Sequence, residues 1–406
     1  MKSYRVIDLL DEIITGDWGQ EPNGINDTKV LRTTNFTNVG HLDLDKEVVT
    51  RNIEQKKVNQ KKLKYGDIII EKSGGSPEQP VGRVVYFDVQ GDDIYLCNNF
   101  TSILRPNSTK VDNRYLFYFL FYQHKIRTVL KYQNKTTGII NLKLDNYLNK
   151  SEIKLPSIKV QHRIVKILDS VFELIEKRKI QIETLGQLIQ SVFLEMFGDP
   201  ISNPKEWNIS SCKDVTKKIG SGATPIGGNA SYKVDGISLI RSMNVYNNRF
   251  NYKDLAFIDE EQAGKLNGVE VYKNDVLLNI TGASVARSCI VPNDILPARV
   301  NQHVSIIRVK DDMVSYIFLN YLFTNEFYQK HLWQIATSGG ATREAITKQQ
   351  IEKLPIISPP HYLQNNFASI VQHIEKQKSL MQSSLVELEN MYNALLQKAF
   401  KGELFS

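Results

Sequence analysis

Two short segments place an arginine three residues before an asparagine, a pairing suited to reading DNA bases. Arg32 precedes Asn35 in the first half of the chain, and Arg241 precedes Asn244 in the second half. An arginine can donate two hydrogen bonds to guanine O6 and N7, and an asparagine can bridge adenine N6 and N7. These four residues are candidate base-contact residues, although each would also suit a purely structural role inside a domain.

A run of small residues follows each segment and forms a second kind of candidate contact. Residues 73–76 are Ser-Gly-Gly-Ser, and residues 281–284 are Thr-Gly-Ala-Ser. Small residues let backbone amides approach phosphates or base edges, while a glycine turn joining two strands would have the same composition. An arginine follows each run, so the candidates here are Ser73, Gly74, Ser76, Arg83, Thr281, Gly282, Ser284 and Arg287.

Motifs for catalysis are missing or incomplete. The sequence contains no G-x-x-x-x-G-K-[ST] phosphate loop and no H-E-x-x-H motif, and its seven histidines do not fall at metal-ligand spacing with its cysteines. Gly220 and Gly222 begin like a dinucleotide loop, but Pro225 stands where the third glycine belongs. We expect neither a catalytic nor a metal site in this chain.

Two further segments resemble parts of enzymes. Residues 358–361, Ser-Pro-Pro-His, are similar to the loop with which amino-methyltransferases hold a flipped base, but His361 stands where an aromatic ring is expected. A proline stop before a helix explains this segment better. Asp67 and Glu71 resemble nuclease carboxylates, yet Lys72 follows Glu71 without the usual spacer.

Composition favours a folded protein with a polyanionic partner. The 406 residues suffice for two domains, and 41% apolar residues exclude a disordered chain. The net charge of +7 favours nucleic acid as partner, and a basic run could follow a phosphate backbone or could simply be solvated: Arg51, Lys56, Lys57, Lys61, Lys62 and Lys64. Three widely spaced cysteines and the lack of a long apolar segment predict a cytoplasmic protein that spans no membrane.

The second half of the chain repeats the first at an offset of about 200 to 209 residues. The matches keep the same order along both halves, which indicates an internal duplication rather than chance. They pair residues 31–35 with 240–244, 65–70 with 273–278, 73–75 with 281–283, 81–83 with 285–287, 136–138 with 337–339, and 155–156 with 354–355.

Each half ends in a segment with a seven-residue apolar repeat. The first carries Ile164, Val171, Leu185 and Val192 alternating with Leu168, Ile175, Ile182, Ile189 and Met196, interrupted by Arg178. The second carries Phe367, Ile374, Met381, Leu388 and Leu395 alternating with Val371, Leu385, Tyr392 and Ala399, interrupted by Lys378. A period of 3.5 residues over about five heptads predicts two coiled-coil helices.

The two predicted helices most simply pair with each other in antiparallel orientation. Equivalent antiparallel helices are related by a two-fold axis, which would hold the attached domains at opposite ends. A helix of about 36 residues is roughly 54 Å long, or about one to one and a half turns of DNA. The sequence therefore predicts a DNA target in two separated parts.

Several segments resemble the specificity subunits of type I restriction-modification systems, and the resemblance covers essentially the whole chain. Residues 155–165 resemble the family's entry into its central helix, and residues 197–200 and 203–207 resemble the exit from it. Residues 222–225, Gly-Ala-Thr-Pro, are similar to the usual start of a domain, and residues 398–404 to the usual C-terminal ending.

The resemblance implies an α/β fold: two α/β target-recognition domains separated by two long helices forming an antiparallel coiled coil, with internal pseudo-two-fold duplication. The domains would span residues 1–155 and 200–354, and the helical spacers residues 156–199 and 355–406. The implied partners are double-stranded DNA, two modification subunits and restriction subunits. The resemblance implies no cofactor in this chain, with S-adenosylmethionine, ATP and Mg in the partners.

The first domain departs from the family pattern, with Glu21 before Pro22 where threonine is usual. Two other functions stay open at this point. One is a DNA-modifying enzyme, a fused methyltransferase or nuclease, and methyl transfer by the chain alone would reveal it. The other is a coiled-coil scaffold that binds DNA without regard to sequence.

Overall fold

The computed structural model of the protein describes residues 2–25, 27–76, 78–136, 139–225, 227–338 and 344–405. The chain divides into two compact units. The first comprises residues 1–179 and 384–406, and the second comprises residues 180–383. Among the described helices, none has the length and apolar character needed to cross a membrane.

The first half of the chain forms twelve short strands and three helices within the described ranges. The strands are β1 (Lys2–Arg5), β2 (Leu10–Thr15), β3 (Asp27–Leu31), β4 (Val49–Asn52), β5 (Ile68–Glu71), β6 (Ser73–Gly74), β7 (Val84–Tyr86), β8 (Tyr95–Cys97), β9 (Thr101–Pro106), β10 (Gln133–Thr136), β11 (Ile139–Leu142) and β12 (Glu152–Leu155). The helices are α1 (Gln55–Lys61), α2 (Asn113–Lys125) and α3 (Leu144–Lys150).

The first long helix, α4, runs from Ile158 to Phe197. The second half then adds β13 (Ile209–Ser211), β14 (Thr216–Ser221), β15 (Ile237–Ile240), β16 (Val245–Tyr246), β17 (Arg249–Phe250), β18 (Ala256–Ile258), β19 (Glu270–Val271), β20 (Val276–Asn279), β21 (Ser288–Ile290), β22 (Ala298–Val300), β23 (Val304–Val309) and β24 (Pro355–Ile357). Its helices are α5 (Glu260–Gly264), α6 (Tyr316–Thr324), α7 (Glu326–Thr337), α8 (Lys348–Glu352) and the second long helix, α9 (His361–Lys401).

Both halves build the same central sheet. The strand order is β2-β9-β5-β7 in the first half and β14-β23-β20-β21 in the second. The pairing register also matches, since Ile68 faces Leu104 in the first sheet and Val276 faces Ile307 in the second. The predicted α/β class and the internal duplication are therefore confirmed.

A second sheet and a terminal strand pair are duplicated as well. The parallel pair β3-β8 corresponds to β15-β22, and the antiparallel pair β1-β12 corresponds to β13-β24. Of the repeated segments, residues 137, 138 and 339 lie outside the described residues. The division into domains and spacers by residue number stays a prediction.

The central strands are continuous apolar runs because both faces of the sheet are covered. Ile68, Ile69 and Ile70 are fully buried, and so are Val276, Leu277 and Leu278. Helix α2 supplies the aromatic side chains that pack against the first sheet, and α6 does so in the second unit. This packing accounts for the apolar and aromatic character of residues 115–122.

The long helices pair in antiparallel orientation within each unit. In the first unit the ring of Phe172 on α4 lies 6.3 Å from that of Tyr392 near the C-terminal end of α9. In the second unit Phe193, near the C-terminal end of α4, lies 5.5 Å from Phe367 near the start of α9. Residues of the predicted seven-residue repeat lie along the seam, which is the contact surface between the two long helices. Ten of them are buried, which confirms the heptad prediction: Ile164, Leu168, Val171, Ile175, Ile189, Phe367, Val371, Ile374, Tyr392 and Ala399.

The long helices also cover their domains, which the heptad pattern does not predict. Phe193 and Phe197 are fully buried, and their rings contact Phe318 of α6 at 5.7 and 4.8 Å. Both helices end at a glycine with positive φ, at Gly198 (77°) and Gly402 (79°). Each long helix therefore contributes side chains both to the contact with the other long helix and to the core of a domain.

Candidate nucleic-acid interface

The two arginine-asparagine segments form the same short turn in both halves. Asn35 accepts a hydrogen bond from the Arg32 backbone N–H at 3.0 Å, and Asn244 accepts one from the Arg241 N–H at 3.0 Å. The side-chain amide of Asn35 donates to the Asp43 and Glu47 carbonyls at 3.3 Å each. That of Asn244 donates to the carbonyls of residues 251 and 253, at 2.9 and 3.3 Å.

Both asparagines are completely buried. Their oxygen and nitrogen atoms are used to close the turn, which leaves neither amide in a position to reach a base edge. Their assignment as adenine readers stays a prediction that this geometry does not favour. The burial and the bonds show that both asparagines stabilise the fold of these turns.

The two arginines of these turns remain partly accessible. Arg32 forms an ion pair with Glu47 at 3.2 Å, and its side chain keeps 28% of its surface exposed. Arg241 donates to the Asp254 carbonyl and lies 5.3 Å from the centre of the Tyr232 ring. An exposed carboxylate partner such as Glu47 is readily exchanged for a phosphate, so Arg32 stays a candidate contact. Arg241 stays a candidate because its side chain is only partly buried.

The small-residue run of the first half lies at the edge of a three-stranded sheet. Strand β6 pairs with β11, and the Ser73 hydroxyl donates to the Asn141 side chain at 2.6 Å. Gly74 and Gly75 are exposed and have φ values of 119° and 69°, which favour glycine. Ser76 bonds the Glu78 carboxylate at 2.9 Å.

The run of the second half has a related position. Thr281 forms a β-bridge with Ala345, and the Gly282 N–H donates to the Glu344 carbonyl at 2.9 Å. Gly282 is buried, whereas Ser284 is half-buried. The Thr281 hydroxyl lies 2.6 Å from Nδ1 of His303.

A turn that our sequence prediction missed lies beside each run. Asn98 and Asn301 are buried at equivalent places, and their backbone N–H groups donate to Leu31 and Ile240 at 3.0 Å each. The residues at the tip of the turn differ between the halves: Asn99 and Phe100 in the first, Gln302 and His303 in the second. The recurrence of an asparagine at an offset of 203 residues, directly after β8 and β22, is the signal that could have identified the turn.

The backbone connects each turn to the neighbouring run. The Lys72 N–H donates to the Phe100 carbonyl at 2.7 Å, and the Ile280 N–H donates to the His303 carbonyl at 3.0 Å. Phe100 is 46% exposed. Each half therefore presents a loop cluster in which an equivalent backbone carries side chains that differ between the two halves. Asn99, Phe100 and Gln302 are exposed, and His303 is half-buried.

The arginines that follow the runs differ in their surroundings. Arg83 binds the Glu71 carboxylate with Nε at 2.9 Å and Nη2 at 3.1 Å. Arg287 instead lies over the Tyr246 ring, 4.5 Å from its centre. The sequence predicts equivalent contacts at these positions, and the structure does not bring the two side chains into equivalent environments.

The carboxylates that resembled nuclease residues are held by arginines. Asp67 accepts two hydrogen bonds from Arg105 at 2.9 Å each, and Glu71 is the partner of Arg83. Among the described residues, no group of three or more histidine, cysteine, aspartate and glutamate side chains is placed to hold a metal ion. Residues 358–360 lead directly into α9, as a proline stop would.

The predicted basic run surrounds helix α1. Lys56 and Lys57 are exposed on this helix, whereas Lys61 forms an ion pair with Asp17 at 2.8 Å. Helix α5, at the equivalent place in the second half, carries Glu260 and Glu261 instead. The two domains therefore differ in charge at this position.

The chain thus has two α/β domains of the same design, which the long helices join. Equivalent loops of the two domains carry different residues. These features define a class of protein with two separate recognition sites. The sequence model of a family described as the type I restriction modification DNA specificity domain matches this chain twice, at residues 24–184 and 204–390. The chain belongs to this family of type I restriction-modification specificity subunits.

Individual relatives agree with this assignment. The chain is 23% identical over 381 residues to a protein assigned as the MjaX type I restriction enzyme specificity subunit of Methanocaldococcus jannaschii, which covers 89% of this chain and 81% of that protein. It is 21% identical over 318 residues to the EcoBI specificity subunit of Escherichia coli, which covers 70% of this chain and 65% of that protein.

A solved structure described as showing the assembly and conformational transition of the type I R-M system has the same fold. Its TM-score is 0.59 at 18% sequence identity, and the match covers 99% of this chain and 98% of that one.

Proposed function

We propose that this chain reads an asymmetric DNA target in two parts, with one recognition domain on each part. The domains comprise residues 1–155 and 200–354, and the paired long helices fix the gap between the two half-targets. Phosphate contacts provide most of the affinity, and a few loop side chains discriminate by roughly 1 to 3 kcal/mol per base pair.

One observation carries the proposal: the framework of the two domains is repeated, whereas the exposed tips are not. The buried turns at Asn35 and Asn244, and those at Asn98 and Asn301, are built in the same way. Different side chains on a shared, rigid backbone are what two domains need if they read different sequences. A scaffold without sequence preference gives no reason for this divergence.

Catalysis belongs to the partners in this proposal. Two modification subunits bind S-adenosylmethionine and methylate adenine where this chain places them, and restriction subunits use ATP and Mg. This chain needs no cofactor of its own and acts by placement in the cytoplasm. The long helices supply the surface on which the partners assemble.

Methylation mapping of the host genome tests the proposal. Cells that lack this chain are compared with native cells while the rest of the operon is left intact. We expect a single bipartite motif with a fixed gap and methylated adenines to disappear. If the methylation pattern does not change, the reader proposal fails.

Two further outcomes separate the other candidate functions. Methyl transfer by the purified chain alone would identify it as an enzyme. Sequence-indifferent DNA binding that still retains the modification subunits would identify a scaffold. Exchange of residues 99–100 for those at 302–303 gives a sharper test, because it should alter one half of the motif and leave the other half unchanged.

A further inference from the structure

One duplicated arginine has a structural role in the first domain and is released from that role in the second. The register of the central sheets makes Arg83 and Arg287 equivalent. The Glu71 N–H donates to the Arg83 carbonyl at 2.9 Å, and the Asn279 N–H donates to the Arg287 carbonyl at 2.8 Å. Glu71 and Asn279 are therefore also equivalent residues.

In the first domain Arg83 has two partners within the fold. It binds both oxygens of Glu71, whose side chain is only 2% exposed. Its Nη2 also donates to the Thr33 carbonyl at 3.3 Å. A bidentate pair with a buried carboxylate is costly to break, because the carboxylate would be left without a partner.

In the second domain the side chain of Asn279, and not the arginine, bonds the carbonyl that corresponds to that of Thr33. Its side-chain nitrogen donates to the Ser242 carbonyl at 2.9 Å, and Ser242 is the equivalent of Thr33. The change from a carboxylate to an amide removes the ion-pair partner of the arginine. The amide also satisfies the carbonyl that the arginine satisfies in the first domain.

Arg287 faces a groove instead. The groove has a volume of about 640 Å³, and its lining includes Tyr246, Arg249, Arg287, Lys378 and Glu183. Arg249 lies 5.1 Å from the centre of the Tyr246 ring, so both guanidinium groups contact one aromatic ring. Lys378 is paired with Glu375 at 2.7 Å.

Neither Arg287 nor Arg249 has a carboxylate within 4.0 Å among the described residues of this chain. Two cations on one ring repel each other unless an anion lies between or beside them. Arginine pairs of this kind suit the oxygens of a phosphate group. Arg287 follows the run 281–284, and its backbone N–H donates to the Ser284 carbonyl at 3.3 Å, so one residue of the groove lining is joined to the candidate loop cluster of the second domain. Another part of the lining comes from the long helices α4 and α9.

We propose that Arg287 and Arg249 bind a backbone phosphate of the DNA beside the second half-target. The inference rests on the proposed function. Arg83 makes no such contact, so the second domain gains a phosphate contact at the position where the first domain has an internal ion pair. This site contributes affinity and does not select bases.

DNA binding by the full-length chain tests the site, with Arg287→Gln and Arg249→Gln as variants and Arg83→Gln as the matched control. The probes are a duplex carrying the motif found by methylation mapping and a duplex of shuffled sequence. For Arg287→Gln we expect both affinities to fall by a similar factor, on the order of tenfold. The slope of log K against log salt should decrease in magnitude by about 1.

Arg83→Gln should lower the unfolding midpoint of the first domain and leave the salt slope unchanged, because the folded protein makes no phosphate contact there. A further variant, Asn279→Glu, restores the carboxylate found in the first domain. We expect it to recapture Arg287 and to reduce the salt slope as Arg287→Gln does, although the guanidinium is still present.

The outcomes separate the two proposals. If the unmodified chain binds neither duplex, the proposed function itself fails. If it prefers the motif duplex but Arg287→Gln and Arg249→Gln leave the salt slope unchanged, only the phosphate site is overturned. If either variant instead loses selectivity at one base pair while the salt slope stays unchanged, the arginine reads a base, and the phosphate site is overturned. Loss of the modification subunits with intact DNA binding would overturn it in favour of a protein contact.

Discussion

Asp275 accepts two hydrogen bonds from the guanidinium of Arg308, each 2.8 Å long, and is completely buried. It also accepts the Tyr272 N–H at 2.7 Å, so the carboxylate closes the turn that enters β20. The first half repeats this arrangement with Asp67 and Arg105 at 2.9 Å. In each half one ion pair joins the turn before the central strand to the neighbouring strand.

Replacement of Asp275 by asparagine should therefore destabilise the second unit. The variant leaves the partly buried guanidinium of Arg308 without its counter-charge, and we expect the free energy of unfolding to fall by about 3 kcal/mol. Urea unfolding of the full-length chain measures the loss. Asp311→Asn is the control, because its pair with Lys217 is exposed and should contribute less than about 1 kcal/mol. Equal losses in the two variants would contradict this account.

A glycine at the end of the first strand of each central sheet has no space for a side chain. A Cβ at Gly222 would lie 1.8 Å from the Val300 carbonyl oxygen, and a Cβ at Gly16 would lie 2.0 Å from that of Asn98. The neighbours are backbone atoms that strand pairing holds in place. We expect Gly222→Ala to cost roughly 3 kcal/mol or more, because the strands must separate.

Gly264→Ala is the matched control for this substitution. A Cβ at Gly264 meets no atom within 4 Å, and the residue lies in helix α5. Alanine should leave the stability unchanged or raise it by about 0.5 to 1 kcal/mol. The prediction fails if thermal unfolding ranks the two alanine variants in the opposite order.

Duplication, the two long helices and the heptad seam could be predicted from the sequence, because periodicity and ordered repeats extend over many residues. The roles of Asn35 and Asn244 could not. An amide that closes a turn onto carbonyls up to twelve residues away is indistinguishable in sequence from one that reaches a base. The burial of Asn35 and Asn244 favours the first of these roles, and burial depends on tertiary structure.

The difference between Arg83 and Arg287 was also beyond sequence analysis. Both follow a small-residue run, and the repeat itself pairs Glu71 with Asn279. Only the strand register shows that each of these residues lies opposite its arginine. For the buried turns at Asn98 and Asn301, the recurrence of a single asparagine is the only sequence signal, and the residues that follow it differ between the halves. The role of a single residue at an irregular turn depends on which strands pair beside it. The order of residues along the chain does not specify that pairing.

His41 should make the stability of the first unit depend on pH. Its ring stacks on Phe172 with centroids 4.3 Å apart, and burial, with a smaller contribution from Arg114, lowers the pKa of His41 below its ordinary value. The folded chain then holds fewer protons than the unfolded chain just below about pH 6.5, so stability falls as the pH drops through that value. Three carboxylates oppose the shift of the pKa: Asp88, Glu176 and Asp169.

His41→Phe keeps an aromatic ring on Phe172 and removes the titrating group. We expect the variant to lose less stability than the unmodified chain between about pH 7 and pH 5.5, measured as urea midpoints across the range. Part of the pH dependence should remain, because burial also lowers the pKa of His124. An unchanged slope in His41→Phe would show that His41 does not couple protonation to folding.

Gln364 should prove essential for the attachment of α9 to its domain. Its side chain is 1% exposed, accepts the Ser315 N–H at 2.9 Å and donates to the Pro359 carbonyl at 2.9 Å. Gln161 makes the same two contacts, with the Asp112 N–H and the Pro156 carbonyl. In both halves a glutamine in the first turns of a long helix therefore holds the start of the domain helix.

Gln364→Leu leaves a buried carbonyl and a partly buried N–H without partners, so we expect a loss of roughly 2 to 5 kcal/mol in the free energy of unfolding. Gln377→Leu on the same helix is the control, because Gln377 is exposed and, within the described part of the chain, its side chain bonds only the neighbouring His373. If the two leucine variants unfold at the same urea concentration, the glutamine bonds do not hold the helix to the domain. A loss confined to Gln364→Leu would identify the duplicated glutamines as the anchors, and Gln161→Leu should then weaken the first unit in the same way.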